Sequence, residues 1–475
     1  MLKSKKTKIV ATLGPATSDK SVLKAMCDEG VNVFRINFSH ADYTDVEERV
    51  KMIRELNDEF GYNVSILGDL QGPKLRVGVM KNEVIVNEGD EIIFATGKRF
   101  EGTKKRVYMT YDKFPQDSKK GERILLDDGK LHFEVVSSNQ KDEVVARVIQ
   151  GGPLKSKKGV NLPNTNISQP ALTEKDIDDA IFACQIGVDW MALSFVRHAE
   201  DLIQLQELIK KHSEHKIPII AKIEKPEAVT NIDKIVAYCD GLMVARGDLG
   251  VEIPAEEVPL VQKQLVLKAK QARIPVIIAT QMMETMITSL TPTRAEVNDV
   301  ANSVMDGADA VMLSGETSVG KYPVQVIRQM ANIIRSVEDS DLINVPHDPP
   351  TIRTKRYITK SICYHAALMA NEIDAAGIST LTNSGYTAFQ ISAWRPKSHI
   401  LVFTSNKRIL TQLSLLWGVK AFFYDKFVST DETIEDVNKM ATELGYLKKG
   451  DMLVSLAAMP IQEKGMVNTL RVSEI

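Results

Sequence analysis

Residues 217–248 read IPIIAKIEKPEAVTNIDKIVAYCDGLMVARGD, in which two strand patterns flank a helical one. The first pattern, IPIIAKIE at 217–224, and the second, DGLMVARGD at 240–248, are short apolar runs that end in charged residues. A strand, a helix and a second strand form the repeating unit of parallel α/β proteins. The stretch therefore predicts two neighbouring parallel strands, each buried on both faces.

Six further strand patterns flank this unit, and helical sequences separate most of them. They are KIVATL at 8–13, VNVFRI at 31–36, VSILGD at 64–69, VDWMALSF at 188–195, IPVIIATQ at 274–281 and ADAVMLSGE at 308–316. Together the patterns make eight parallel βα units, which predict an α/β fold of the closed (β/α)8 TIM-barrel type.

The alternation of strands and helices breaks between residues 71 and 170. Short alternating runs replace it, and Asp127, Asp128 and Gly129 stand between two of them as a hairpin signal. We therefore expect an all-β lid domain at 71–170, inserted into a barrel domain formed by 1–70 and 171–343. A Pro-rich link, NVPHDPPT at 344–351, begins the last segment, and its patterns predict an open α/β domain at 344–475.

Composition excludes several classes of protein. The 475 residues include 60 Lys and Arg against 62 Asp and Glu, which argues against a nucleic-acid-binding protein. No apolar run approaches the roughly 18 residues that span a membrane, and the N terminus lacks a secretion signal. The four cysteines are far apart, as expected of reduced thiols in a cytoplasmic protein.

Polar side chains end all of the later strand patterns. They are Arg35, Asn37, Ser39, Asp69, Ser194, Lys222, Glu224, Arg246, Asp248, Thr280, Ser314 and Glu316. In barrels of this type the catalytic groups lie at the carboxyl ends of the strands, so we expect these residues to converge on one rim. The alternative is that they only form a solvated barrel end.

Glu224 and Asp248, from adjacent strands, suit a Mg²⁺ or Mn²⁺ ion that completes its shell with water and substrate oxygens. Side chains alternate along a strand, so Lys222 shares a face with Glu224 whereas Lys225 does not. A simple Glu224–Lys225 salt bridge is the competing interpretation. Arg35 and Lys222 would then meet an anionic substrate.

The lid domain has its own charge. It carries 18 Lys and Arg against 13 Asp and Glu, although the whole chain has a net charge of −2. A basic lid above an anion and metal site favours a nucleotide or another polyphosphate as ligand. No GxxxxGK[ST] or GxGxxG loop is present, so a nucleotide would bind without those phosphate cradles. A solvated domain of arbitrary charge is the alternative.

Eight motifs, in order along the chain, resemble the pyruvate kinase family. They are FRINFSH at 34–40, LQGPKLRVG at 70–78, KGVNLP at 158–163, KIEKPEA at 222–228, MVARGDLG at 243–250, ATQMMETMI at 279–287, PTRAEVNDVAN at 292–302 and MLSGETSVGKYP at 312–323. The resemblance implies a barrel, a lid and a C-terminal regulatory domain, assembled into a homotetramer of the shorter bacterial form. It also implies phosphoryl transfer from phosphoenolpyruvate to ADP, giving pyruvate and ATP.

The resemblance further implies roles for individual residues. Glu224 and Asp248 would hold the divalent metal. Lys222, Arg35 and Thr280 would be catalytic, and phosphoenolpyruvate would contact Arg35, Gly247, Asp248 and Thr280. The nucleotide would contact Asn37, Phe38, Ser39, His40, Arg76 and Lys158.

A departure from the family pattern concerns K⁺. Many members hold K⁺ at the positions of Asn37, Ser39, Asp69 and the backbone of Leu70, and they carry Glu where this chain has Lys74. The LQGPK sequence resembles the K⁺-independent branch, in which the lysine ammonium replaces the cation. Two cations placed together would repel, so we expect that K⁺ is not required.

In the C-terminal segment, Thr382, Ser384, Gly385 and Thr387 precede a helix, whose free N–H groups could bind a phosphate. The resemblance implies a phosphorylated effector there. An ordinary capped helix is the alternative.

Two other functions are compatible with parts of the sequence. A metal-dependent barrel lyase or aldolase acting on a pyruvate enolate would also use Glu224, Asp248 and Arg35, but would not need Arg76 or Lys158. A non-enzymatic metabolite sensor would be expected to have lost Lys222 or the metal carboxylates, and both are present.

Overall fold

The structure, a computed structural model, describes residues 5–340, 342–343, 349–351, 353–426, 430–459 and 466–475. Most of the predicted Pro-rich link therefore lies outside the described residues. Within them the chain forms a barrel, an inserted β-rich lid and a C-terminal α/β domain. The lid strands all lie between residues 84 and 161, and the domain boundaries stay predictions.

The strands in chain order are β1 Lys8–Thr12, β2 Val33–Asn37, β3 Ser65–Asp69, β4 Val84–Val86, β5 Glu91–Ala95, β6 Arg106–Tyr108, β7 Arg123–Leu126, β8 Leu131–Ser138, β9 Glu143–Gln150, β10 Gly152–Leu154, β11 Val160–Asn161, β12 Trp190–Leu193, β13 Ile219–Ile223, β14 Gly241–Ala245, β15 Val276–Ala279, β16 Ala310–Leu313, β17 Gly377–Leu381, β18 His399–Thr404, β19 Val419–Phe423, β20 Met452–Ala457 and β21 Thr469–Glu474.

The α-helices are α1 Lys20–Glu29, α2 Tyr43–Phe60, α3 Phe114–Asp117, α4 Glu174–Gln185, α5 Ala199–His212, α6 Pro226–Thr230, α7 Ile232–Ile235, α8 Arg246–Glu252, α9 Val258–Ala272, α10 Arg294–Met305, α11 Gly315–Ser318, α12 Pro323–Glu338, α13 Tyr357–Glu372, α14 Tyr386–Ser392, α15 Lys407–Gln412 and α16 Thr430–Glu443. Short 3₁₀ helices lie at Pro15–Thr17, Phe38–His40, Ala255–Glu257, Glu284–Ile287 and Leu413–Leu415.

Eight parallel strands close the barrel in the order β1-β16-β15-β14-β13-β12-β3-β2, which confirms the predicted TIM barrel. Their central residues are buried, as expected for strands covered on the outside by helices and filled on the inside by side chains. Apolar side chains of the helices between the barrel strands pack with the sheet residues in one core cluster. Some helix ends are satisfied by side-chain caps such as Thr293, whose hydroxyl and backbone pair with Glu296 at the start of α10.

The lid contains a six-stranded sheet, in the order β11-β7-β8-β9-β5-β6, and the strand pair β10-β4. Its β7–β8 hairpin turns at the predicted Asp-Asp-Gly sequence. Asp127 and Asp128 have φ angles of 52° and 57°, the left-handed conformation that tight hairpin turns require of their central residues.

The C-terminal sheet has the order β19-β18-β17-β20-β21, with β21 antiparallel to β20 and the other pairs parallel. The sequence predicted the four parallel strands and missed β21. The TLRVSE sequence of β21 has exposed residues on both faces and borders only one neighbour, so it carries no buried-strand pattern.

The C-terminal domain closes the base of the barrel, at the amino ends of the strands. Leu415 and Phe389 join the cluster of inward-facing barrel side chains that includes Trp190. The Trp190 indole N–H donates to the carbonyl of Gln412 at 3.0 Å. The packing of this base is therefore shared between two domains.

A buried ion pair also joins the two domains. The Arg395 guanidinium donates from Nη1 to Asp309 Oδ1 at 2.9 Å and from Nη2 to the Gly307 carbonyl at 2.7 Å. Burial acts to raise the pKa of Asp309, but Arg395 and Lys270 outweigh it and lower that pKa below its ordinary value. The carboxylate therefore stays ionised at neutral pH.

In the part of the chain that the structure describes, no helix is both long and apolar enough to cross a membrane.

Replacing Arg395 with Met should destabilise the protein by about 3–5 kcal/mol, because the buried Asp309 carboxylate loses its cation. Because the folded pKa of Asp309 is depressed, this contribution is present above about pH 4 and is lost as the pH falls further. In calorimetric melting at pH 7 the variant should have a much lower Tm than the wild type, and this difference in Tm should become smaller in acid. The control, Arg328→Met, breaks an exposed pair with Glu29 and should cost at most about 1 kcal/mol. Equal Tm values for the two variants at pH 7 would contradict the assignment.

Candidate active site

The Lys222 ammonium lies at the centre of a charge network at the carboxyl ends of neighbouring strands. Its Nζ is 3.0 Å from Glu224 Oε1 and 3.2 Å from Asp69 Oδ1, and it donates to Ser194 Oγ at 2.6 Å. The three partners follow or end β13, β3 and β12, which are adjacent in the barrel. Glu224 thus pairs with Lys222, whereas Lys225 pairs with Glu252 at 2.6 Å, so the alternation argument holds.

Arg35, at the end of β2, approaches the same network from the other side of Asp69. Its Nε donates to Asp69 Oδ2 at 2.6 Å and its Nη1 to Thr12 Oγ1 at 3.1 Å. Its Nη2 has no acceptor among the described residues. The guanidinium is therefore fixed through two donors and keeps a third for an anionic ligand.

Burial and charge act in opposite directions on these groups. Burial acts to lower the pKa of Lys222, but Asp69 and Glu224 outweigh it and raise that pKa above its ordinary value. Burial acts to raise the pKa of Asp69, but Lys222 and Arg35 outweigh it and lower it. This carboxyl end of the barrel, the mouth, therefore places the two cations Lys222 and Arg35 beside the ionised carboxylate of Asp69.

Glu224 differs from Asp69 in a way that fits a cation ligand. Burial raises its pKa and the nearby Asp248 adds to the effect, while Lys222 only partly opposes them. Two carboxylates that repel each other in a buried setting are the usual donor set for a hard divalent cation. Among the described residues no three His, Cys, Asp or Glu side chains form a metal-binding group. Glu224 and Asp248 thus fit an ion that takes its remaining ligands from substrate and water.

Gly247 and Thr280 contact each other beside these carboxylates, and the backbone of Thr280 is strained. Thr280 has a φ of 69°, and its Oγ1 accepts from the Gly247 N–H at 2.7 Å. A Cβ on Gly247 would come within 3.3 Å of that hydroxyl. The two residues that were predicted to bind the substrate are therefore brought together. The left-handed backbone of Thr280 has a conformational free-energy cost that its surroundings must offset.

Arg246 supplies much of that support, a role that the sequence did not reveal. Its Nη1 and Nη2 donate to the two carboxylate oxygens of Asp299 at 2.6 and 2.7 Å, and Nη2 also reaches the Thr280 carbonyl at 2.8 Å. Its Nε donates to the Ala279 carbonyl at 3.3 Å. Arg246 was recognised only as a polar strand end, because the pairing with α10 spans 53 residues.

The lid is attached to the same rim. Asn161 of β11 donates from Nδ2 to Glu252 Oε1 at 2.8 Å, the oxygen that also binds Lys225. This link between the lid and α8 was not predicted. Of the predicted nucleotide residues, Arg76 donates from Nη1 to the Lys157 carbonyl at 3.1 Å, and Lys158 pairs with Asp127 at 2.8 Å. Arg76 and Lys158 therefore lie together on the lid.

The other predicted nucleotide residues follow β2. Asn37 Oδ1 accepts from the Ser39 N–H at 3.2 Å and caps the short 3₁₀ helix. The ring of Phe38 is fully buried in the barrel core, so only its backbone is open to a ligand. The side chain of His40 lies outside the described residues.

At the predicted monovalent-cation position, the structure gives Asp69 two cationic partners, Arg35 and Lys222. The Leu70 carbonyl accepts from Ser194 Oγ at 2.7 Å. Lys74 is exposed and lines a small cavity together with Asp248, and no ion pair joins it to Asp69. Lys74 thus lies at the cleft that Asp248 also lines, and the K⁺ independence of the protein stays a prediction.

The predicted effector loop is held by its own hydrogen bonds. Thr382 Oγ1 accepts from the Gly385 N–H at 3.0 Å, and the buried Thr387 hydroxyl is 3.1 Å from that of Thr380. Ser384 is exposed. Arg356 stacks on the ring of Tyr386 at 4.2 Å, which places a cation beside the loop.

Glu316, another predicted rim residue, binds the backbone of two loops. Its carboxylate accepts from the Met283 N–H at 3.1 Å and from the Ser314 N–H at 2.7 Å. It thus supports the loops after β15 and β16. The polar strand-end pattern could not distinguish this structural role from a ligand-binding role.

Two family models match the chain. "Pyruvate kinase, barrel domain" matches residues 4–327, and "Pyruvate kinase, alpha/beta domain" matches residues 360–473. The pyruvate kinase of Mycobacterium intracellulare is 44% identical over 474 residues, covering 99% of both chains. That of Corynebacterium glutamicum is 44% identical over 469 residues, covering 98% of this chain and 97% of the relative.

A solved structure agrees with these matches. The crystal structure of a pyruvate kinase from Cryptosporidium parvum superposes with a TM-score of 0.92 at 30% identity, covering 99% of this chain and 96% of the other. Sequence, domain order and architecture thus point the same way, and the chain belongs to the pyruvate kinase family of phosphotransferases.

Proposed function

We propose that the protein transfers the phosphoryl group of phosphoenolpyruvate to ADP, giving pyruvate and ATP, the last step of glycolysis. The observation that carries the proposal is the Lys222 ammonium, held between Asp69, Glu224 and Ser194 with Arg35 beside it. This places two cations next to a pair of carboxylates at one barrel mouth. Such an arrangement suits the movement of negative charge between two small anions.

In this proposal Arg35 and Lys222 bind the phosphoryl oxygens. The bond between phosphorus and the enol oxygen breaks as the terminal ADP oxygen attacks in line. Lys222 then holds positive charge beside the enolate oxygen that is left. It acts as a charge stabiliser and not as a Schiff-base nucleophile, because its raised pKa keeps it protonated.

The remaining step protonates the enolate to pyruvate. Thr280 lies beside Gly247 and Asp248 at the mouth, and its hydroxyl is already hydrogen-bonded to the Gly247 N–H and to its neighbour's carbonyl. We infer that Thr280 positions a water that delivers the proton. Arg35 Nη2 and the Gly247 backbone would orient the substrate anion, and the Gly247 N–H would exchange its bond to Thr280 Oγ1 for one to the ligand.

Glu224 and Asp248 would hold the divalent metal. A bound Mg²⁺ or Mn²⁺ would neutralise phosphoryl charge and polarise substrate oxygens, and a second ion would accompany the nucleotide. The nucleotide would lie between the Asn37–His40 backbone and Arg76 and Lys158 on the lid.

Three further features complete the proposal. The effector loop, with Arg356 near Tyr386, is the proposed site for a phosphorylated allosteric effector, and a capped helix start remains the alternative. The homotetramer and the cytoplasmic location rest on the family resemblance and on composition.

The decisive assay couples pyruvate formation to lactate dehydrogenase. With phosphoenolpyruvate, ADP and Mg²⁺, we expect pyruvate to form only when ADP is present. A lyase or aldolase would form pyruvate from another substrate without ADP, and a metabolite sensor would form none.

Replacing Lys222 with Met should lower kcat by about 10²–10³-fold or more, because one preorganised charge at the transferring group is lost. Phosphoenolpyruvate and Mn²⁺ should still bind, as measured by isothermal titration calorimetry. The control Lys234→Met removes an exposed lysine of α7 and should leave both quantities unchanged. Normal turnover of Lys222→Met would remove the assigned role.

Replacing Arg246 with Lys should lower kcat by about 10²-fold through misplacement of Gly247 and Thr280, since a lysine cannot reproduce the bidentate contact. Asp299→Asn should give a similar loss, and the double variant should lose little more than either single variant. The control Lys263→Met breaks a nearby surface pair with Asp306. Additive losses in the double variant would show that the two residues act separately.

The enzyme should be nearly as active without K⁺ as with it, and Lys74→Glu should create K⁺ dependence. The reason is charge: the ammonium at the cleft supplies the positive charge that a bound K⁺ would bring. Steady-state rates in K⁺ and in tetramethylammonium salts test this. A fall of orders of magnitude in the wild type without K⁺ would contradict the proposal.

A further inference from the structure

A small cavity, separate from the mouth, lies where the base of the barrel meets the C-terminal domain. Its volume is about 10 Å³, which is room for one water-sized species. Lys270 and Arg273 line it from the end of α9, Asp309 from the start of β16, and Phe389 and Ser392 from α14. Two cations and one carboxylate therefore surround a space between two domains.

Lys270 is the unusual member of this group. Its side chain is only 5% exposed, and its Nζ has no hydrogen-bond partner in the described part of the chain. An ammonium removed from water without a partner costs several kcal/mol, so buried charges are almost always paired. Burial and the nearby Arg395 lower the pKa of Lys270 well below its ordinary value, and Asp309 only partly opposes them, so the ammonium form needs a further counter-charge.

The carboxylate beside Lys270 is that of Asp309, and both of its oxygens already accept hydrogen bonds. Asp309 Oδ1 accepts from Arg395 Nη1 at 2.9 Å, and Oδ2 accepts from the Val276 N–H at 3.0 Å. Arg273 is stacked over the Trp394 ring at 3.9 Å and donates no side-chain hydrogen bond to a described residue. The group thus contains the cations Lys270, Arg273 and Arg395 against a single carboxylate.

We propose that this cavity binds one small monovalent anion, of halide size, through Lys270 and Arg273. The anion would give the Lys270 ammonium the partner that the protein lacks, and it would balance the excess positive charge. Cavity size restricts the ligand to a single small ion, which excludes a sugar phosphate or a nucleotide at this position.

A neutral Lys270 amine beside a water molecule is the competing state. It would remove one charge, but the guanidinium groups of Arg273 and Arg395 do not lose their protons in proteins. Two fixed cations would still face one carboxylate. An anion in the cavity would pair with Lys270 and Arg273 and would reduce the excess positive charge around Asp309, so the balance of charge favours it.

The site would stabilise the contact between domains. Lys270 belongs to α9 of the barrel and Arg273 caps its C-terminal end, whereas Phe389 and Ser392 belong to α14 of the C-terminal domain. An anion held between them adds to the Arg395–Asp309 pair, which joins the same surfaces. Its removal should therefore lower the stability of the intact protein.

The first test is crystallographic. Crystals of the full chain soaked in sodium bromide should show an anomalous bromide peak in the cavity, within hydrogen-bond reach of Lys270 Nζ. The peak should vanish in Lys270→Met and persist in Lys268→Met, which removes an exposed lysine of the same helix. Bromide peaks at the surface alone, or a water in the wild-type cavity, would overturn the proposal.

The second test is in solution and does not depend on catalysis. At constant ionic strength, replacing gluconate by chloride should raise the wild-type Tm by about 2 °C, because a ligand that binds only the folded state stabilises it. Lys268→Met should respond equally and Lys270→Met should not respond. The same chloride response in Lys270→Met would overturn the proposal, whether that variant is more or less stable than the wild type.

Discussion

The ion network around Lys222 is the constraint on which the rest of the active site depends. Its ammonium is buried, so it needs Asp69, Glu224 and Ser194 within 3.2 Å. These partners come from three strands that pair as neighbours in the order β13-β12-β3. Arg35 joins from β2, the next strand in that order. Parallel pairing of these four strands therefore assembles the charges, and none of the strands could do so alone.

The sequence revealed those parts of this arrangement that depend on local periodicity. Alternation along one strand was enough to place Lys222 and Glu224 on the same face, and apolar runs were enough to count eight strands. It could not reveal that Asp69 binds Arg35 and Lys222, because register between distant strands leaves no local pattern. For the same reason Arg246 appeared only as a polar strand end, although Asp299 of α10 holds it. The edge strand β21 was missed because one paired edge and exposed faces impose no apolar repeat.

The contact of the lid and Asp248, one of the two proposed metal ligands, share one helix. Asp248 lies in the first turn of α8, and Glu252 lies at its end, where it accepts from Asn161 of the lid and from Lys225. Movement of the lid must therefore change the contacts of Glu252, on the helix that carries Asp248. Arg76 and Lys158, two basic residues of the lid, are brought close together by the Arg76–Gly159 bridge. Lid position and the charge at the mouth are thus physically linked.

The two ends of the barrel balance charge in different ways. At the mouth, carboxylates face Lys222 and Arg35, and the network keeps an unused donor on Arg35 for a ligand. At the base, Lys270 is as deeply buried as Lys222 but has no carboxylate of its own, because Arg395 and the Val276 N–H already occupy Asp309. An unpaired Lys270 ammonium would destabilise the contact between domains, so a counter-charge from solution is what would keep it protonated there, just as anionic ligands would balance Lys222 and Arg35 at the mouth.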